Sequence, residues 1–162
     1  MTGARFLPEF DDEMAKTRTT LEHIPADRLD FRPHEKSYSL GELGAHISSV
    51  PSWLTAVLST MEFDVAAPAE RNGPDTAAGI VAAFDENISA ARDMLAAATD
   101  EDLNVAWTLR SGDQVIFNLP RVAVIRIMVL NHMIHHRGQL TVYLRMLDVP
   151  VPALYGPSAD EG

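Results

Sequence analysis

A chain of 162 residues buries roughly two thirds of the surface its extended form would expose, so one domain can build its core without staples. It contains no cysteine, which excludes disulfides, thiolate nucleophiles, iron–sulfur clusters and cysteine-bound zinc. The net charge of −10, with no offsetting Lys/Arg cluster, argues against nonspecific binding to nucleic acid or anionic lipid.

The opening residues MTGARFLPEFDDEM lack the apolar core of a signal peptide, and no run approaches the length of a membrane span. The expectation is a soluble, cytoplasmic, single domain over residues 1–162.

The first periodic segment runs from about Leu7 to Ile24, with Phe6, Phe10, Met14, Thr17, Leu21 and Ile24 at helical spacing. Asp11, Asp12 and Glu13 fall early in it, where negative charge suits a helix start. Pro25 ends it, and PADRLDFRPHEKSYS reads as a loop. Ser39 and Glu42 have the spacing of a capping box. A second helix follows, with Leu43, His46, Val50, Trp53 and Val57 on one face and Ile47, Leu54, Leu58 and Met61 beside them. Pro51 removes the hydrogen bond to the Ile47 carbonyl and predicts a kink or a break into two helices.

The segment MEFDVAAPAERNGPD is a connection, marked by Pro68 and Asn72-Gly73-Pro74. A third helix extends from Asp75 or Thr76 to about Ala98, on a stripe of Ala77, Ile80, Phe84, Ile88, Ala91 and Leu95. In the stretch WTLRSGDQVIF, Ser111-Gly112-Asp113 predicts a short extended loop or hairpin. Two short strands alone would be marginal and need helices to lie against. The fourth helix starts near Asn118 or Pro120 and reaches Leu147. Its inward seam is Val122, Ile125, Val129, His132, His136, Leu140, Tyr143 and Leu147. The tail ALYGPSADEG is expected to lie over the bundle and then fray. Four amphipathic segments joined by turns predict an all-α four-helix bundle.

The chemistry-bearing feature is the histidine set. His132 and His136 stand one helical turn apart, about 6 Å along the axis, so both imidazoles share a face. On an apolar seam two neutral imidazoles cannot satisfy all of each other's hydrogen-bonding needs without a further donor or a cation, and a shared divalent cation solves that. The bland alternative is that helical histidines are satisfied core or surface groups. His46, on the seam of the second helix, tips the balance towards a three-histidine metal site with a position to spare. Zinc, nickel, iron, cobalt and manganese all suit nitrogen ligands.

His135 reads as surface or rim, although it could replace a ligand. His34 lies in the polar loop, and His23 caps the first helix electrostatically. Glu42, Asn131, Gln139 and Tyr143 are candidates to hold the far sides of the imidazoles. Arg137 calls for an acidic partner on a neighbouring helix. There is no H-E-x-x-H motif, no Glu-x-x-His pair and no nucleotide-binding glycine pattern.

The chain resembles the DinB family, grouped with YfiT-like metal-dependent enzymes. The resemblance rests on FLPEFDDEMAKTRTTLEHIPADRLDFRPHEKSYSLGELGAHI, on His46 in LGELGAHI, and on HMIHHRGQLTVYLRMLDVP with its H-x-x-x-H-R-G-Q signature. It implies an antiparallel four-helix bundle with an unusual connection order and a metal at one end. His46, His132 and His136 match the family's three ligands. Nickel or zinc is the ion it implies, with a homodimeric assembly and a substrate chemistry based on low-molecular-weight thiols. On this reading the protein is a metal-dependent enzyme, such as a thiol-dependent S-transferase. The alternatives are a metal-dependent hydrolase, a noncatalytic metal-bearing bundle that binds a small ligand or acts in stress response, and a dimerisation scaffold without metal.

Overall fold

The computed structural model describes residues 3–68 and 73–161. The expected bundle forms from α1 (Leu7–Glu22), the pair α2 (Leu40–Ser49) and α3 (Ser52–Ser59), α4 (Ala77–Ala97), and a last long helix. That last helix comprises α6 (Arg121–Ile125), a π-helical turn (Arg126–Asn131) and α7 (His132–Met146). α1 packs on α4 and α7, α2 packs on the same two helices, and α3 packs on α4 and α6. The first two helices of the chain are therefore placed across the bundle from each other, and the long loop between them spans that distance. The core is apolar, with Phe10, Met14, Leu43, Ile47, Leu54, Ile80, Phe84, Leu95, Leu130 and Leu140 all buried.

Local chemistry sets the starts and breaks. Ser39 accepts from the Glu42 N–H while the Glu42 carboxylate accepts from the Ser39 N–H, which is the predicted capping box. Pro51 divides α2 from α3, but Val50 and Pro51 keep right-handed helical dihedrals. The result is a kinked pair, with the Val50 N–H turned to the Ile47 carbonyl at 3.2 Å. At Gly44 an added Cβ would come within 2.9 Å of Ile24 Cδ1 and of Ile80 Cδ1, so α2 sits closer to α4 than a side chain allows.

Thr76 caps α4 through the Gly79 N–H. The predicted hairpin is present as β2 (Ala106–Ser111) and β3 (Gln114–Pro120). Gly112 takes φ +57° in its turn, a region glycine enters at little cost.

Several expectations need correction. The connection after α3 contains a strand, β1 (Glu62–Asp64), which pairs in parallel with β2. It has too few residues to show alternation and exists because the hairpin offers it an edge. A short helix, α5 (Asp100–Asn104), precedes the hairpin, capped by Thr99 and Asp102. Asn72 of the expected turn lies outside the described residues.

The tail does not fray within the described residues. Asp160 accepts from the Val151 N–H at 2.9 Å and pairs with Arg145, while Glu161 accepts from the Ala153 N–H at 2.9 Å. In the last helix Val124, Met133, Arg137 and Leu144 are buried, whereas Val122 and Leu147 are only partly so. No helix among the described residues is long and apolar enough to cross a membrane.

Candidate metal centre

Two elements bring the histidines together. α2 carries His46, and the neighbouring α7 carries His132 and His136. The capping box marks where α2, the helix that carries His46, begins. One helical turn separates His132 from His136, so their rings lie 4.6 Å apart between centroids. His46 meets His132 at 5.1 Å and His136 at 4.5 Å, the latter edge-on.

One ring nitrogen from each of the three lies within 4.8 Å of the others. His46 Nε2 and His132 Nε2 are 3.1 Å apart. Among the described residues this cluster contains no carboxylate.

The electrostatics suit a cation. Burial, followed by the neighbouring His136 and His132, lowers the His46 pKa to about 4. His132 and His136 are also held below the ordinary imidazole range, with burial the main cause in both. Neutral imidazoles are the metal-binding form. Three ring nitrogens within 4.8 Å of one another, in a cluster with no carboxylate among the described residues, fit a divalent ion.

The surroundings sort the other candidates. Gln139 is a partner as expected, with Oε1 2.7 Å from His136 Nδ1. Glu42 closes the cap of α2 and pairs with Arg32 at 2.9 Å. Tyr143 is a core tyrosine, and its hydroxyl donates to the Tyr38 carbonyl at 3.1 Å. His135 is exposed beside His136, at 4.9 Å between ring centroids. Asn131 is exposed. His34 accepts from the Lys36 N–H at 3.1 Å in its own loop, and His23 sits 2.8 Å from the Thr19 carbonyl at the end of α1.

Sequence reasoning missed one neighbour. The Tyr38 ring stacks at a tilt of 34° against His46, 5.7 Å away. A tyrosine just before the Ser39 cap was a signal for it.

Known proteins share this architecture. A DinB-like protein of Bacillus cereus ATCC 10987 has a crystal structure that superimposes with a TM-score of 0.71, covering 93% of this chain and 95% of its own at 24% identity. The DinB-like protein YjoA of Bacillus subtilis gives 0.72, covering 95% and 99% at 19% identity. The uncharacterised protein YrdA of Bacillus subtilis (strain 168) is 26% identical over 160 residues, which is 96% of this chain and 89% of YrdA. The sequence model of the DinB family matches residues 1–162, and the chain belongs to that family.

Proposed function

We propose that His46, His132 and His136 hold one divalent cation, zinc or nickel, and that the protein is a metal-dependent enzyme acting on a small molecule. The observation that carries this reading is the convergence of three neutral imidazoles from two helices on one point. Bound there, such an ion would supply Lewis acidity and lower the pKa of a thiol or water that joins it. Three protein ligands leave a fourth position for that group.

The chemistry favoured is thiol-dependent S-transfer. The cluster of ligating groups contains no carboxylate among the described residues, and a hydrolase of the H-E-x-x-H kind uses one as its general base. A thiol brings its own nucleophilic sulfur and needs only to lose a proton. In this scheme His46, His132 and His136 bind, Gln139 orients His136, and Tyr38 shields one side of His46. We further propose a cytoplasmic homodimer.

Metal analysis of protein purified without a histidine tag tests the site. The expected result is close to one zinc or nickel per chain after loading, and near zero for His132→Ala with helical content unchanged. Equal metal in the two proteins rejects the site. Cobalt-loaded protein tests the chemistry, since a low-molecular-weight thiol should add a sulfur-to-cobalt charge-transfer band. Turnover that survives complete metal removal would reject the enzyme reading.

A further inference from the structure

The last helix has one face that its own fold leaves open. Ile127, Asn131, His135, Gly138, Val142 and Met146 are all exposed. They stand three or four residues apart in turn, so they form one stripe along the helix. None of them is an acid, a lysine or an arginine, in a chain of net charge −10. Val142 is 57% exposed and Met146 54%. Arg145, at the border of the stripe, is tied to Asp160. Tyr38 widens the patch towards α2: its carbonyl accepts from the hydroxyl of Tyr143, next to Val142.

Gly138 shows that the stripe is built for contact. Inside a helix glycine is the least favourable residue apart from proline, and it is kept where the backbone needs a positive φ or a close approach. Gly138 has neither use within its own chain. Its φ is not positive, and an added Cβ would meet nothing from the rest of the described chain within 4 Å. The room left by the missing Cβ faces outwards.

Charge selects the occupant. Two copies of a chain at −10 repel each other wherever their acidic faces meet, and an uncharged stripe is where they can touch. About a two-fold axis the stripe has to complement only itself. Crossing antiparallel at Gly138, the two helices can come to the short end of helix spacing, about 8 Å. Arg145 then lies opposite Asn131 of the partner subunit, and Val142 opposite His135 of the partner subunit. A parallel pairing would instead set Arg145 against the partner's Arg145.

We infer that this face of the last helix is the homodimer contact, with two copies of α7 crossing antiparallel at Gly138. The inference rests on the homodimer reading above. It brings the partner's Val142 against His135, whose ring lies 4.9 Å from that of His136. Each copy therefore supplies one wall beside the metal centre of the other. The stripe covers about 28 Å of helix and is one helix wide, which places it at the small end of interface sizes. The dimer is a weak one, in exchange with monomer.

Sedimentation velocity of the full chain, purified without a tag, reads the assembly. The wild type should pass from monomer to dimer as concentration rises. Gly138→Arg should raise the dissociation constant about a hundredfold or more, because it fills the crossing point and sets like charges face to face. Its helical content and thermal midpoint should hold or rise, since arginine is the better helix former. Val115→Arg is the control: it adds the same charge at a residue of the hairpin that is 59% exposed, and it should dimerise like the wild type. A Gly138→Arg chain that dimerises normally overturns the inference, and so does an equal loss in Val115→Arg. In both cases a wild-type dimer leaves the homodimer reading standing. A wild type that stays monomeric at every concentration defeats that reading and the inference with it.

The chain has no cysteine, so single introduced thiols read the direction of the crossing. Gly138→Cys should give a disulfide-linked dimer on mild oxidation, since a disulfide needs the two Cα atoms within about 7 Å. Met146→Cys should not, because an antiparallel crossing holds the two copies of that position about 24 Å apart. Linkage at 146 as ready as at 138 overturns the antiparallel crossing.

Discussion

The Arg137 guanidinium reaches from α7 to the Glu13 carboxylate of α1 at 2.6 Å, with the two side chains 1% and 9% exposed. The same guanidinium donates to the Glu13 carbonyl at 3.0 Å and to the Thr17 hydroxyl at 3.1 Å. The Tyr155 hydroxyl donates to the Glu13 carboxylate at 2.8 Å and accepts from Arg137. Arg137 follows His136 directly, about 100° round the helix. Locking one therefore fixes the rotation of α7 that aims the other. Removing one partner of a buried pair typically costs about 3–5 kcal/mol, so Glu13→Gln and Arg137→Met should each fall in or near that range in urea unfolding. The double variant Glu13→Leu with Arg137→Met should lose less than the sum. Single variants that cost under about 1 kcal/mol would show that the pair holds nothing.

This pair also marks what the sequence made legible. That Arg137 needs an acidic neighbour was readable, but which helix supplies it was not, because the ring order of the helices is set by tertiary packing. The capping box at Ser39 and the hairpin turn at Gly112 were readable because each depends on residues adjacent in the chain. β1 was not, because three residues become a strand only where β2 offers an edge. The π turn was invisible to a 3.6-residue period. That is one reason the seam drawn through Val122 and Leu147 misses Val124, Met133, Arg137 and Leu144. The histidine cluster was legible because its spacing lies within one turn of one helix, and His46 joined it by facing the same apolar interior.

The cap that starts α2 makes a prediction that joins stability to the metal site. Ser39→Ala removes an acceptor for the Glu42 N–H and frees the reciprocal bond. Such a loss costs about 1 kcal/mol, readable as a lower thermal midpoint. Ser39→Asp should recover most of it. If the cap also aims His46, zinc affinity will weaken in Ser39→Ala and return in Ser39→Asp. Unchanged affinity in both would show that packing alone aims the ring.

The tail gives the pH dependence. Asp160 is held below the ordinary carboxylate range, first by Arg145 and then by the Val151 N–H. A depressed folded value means the docked tail is stabilised above the pKa of the free side chain, and that this contribution fades as pH falls through the carboxylate range. Amide exchange at Val151 should therefore accelerate relative to the core of α7 on acidification. Asp160→Asn should show fast exchange at Val151 already at neutral pH. A pH-independent ratio in the wild-type chain would rule out the carboxylate as the latch.

Metal binding to the folded chain alone must raise its stability, by about RT ln(1 + [L]/Kd) or roughly 2.7 kcal/mol at a hundredfold excess over Kd. Zinc should raise the thermal midpoint of the wild-type chain in a concentration-dependent way. It should do little to His46→Ala, His132→Ala or His136→Ala. His135→Ala should respond like wild type, since that exposed ring lies outside the three-nitrogen cluster. A His135 variant that loses the response would make it a fourth ligand.

Two glycines separate packing from propensity near the same ligands. Gly44 precedes His46 by two residues, and a Cβ there would meet Ile24 and Ile80. Gly44→Val should push α2 off α4, cost about 1–3 kcal/mol as overpacked sites do, and weaken zinc binding as His46 moves from His132. Gly138 follows His136 by two residues on the exposed face of α7, and an added Cβ would meet nothing within 4 Å. Gly138→Ala should instead stabilise the chain by up to about 1 kcal/mol through helix propensity and leave zinc affinity where it was. Loss of zinc binding in Gly138→Ala, with the fold intact, would mean that the open face of α7 is covered by something the chain itself does not supply.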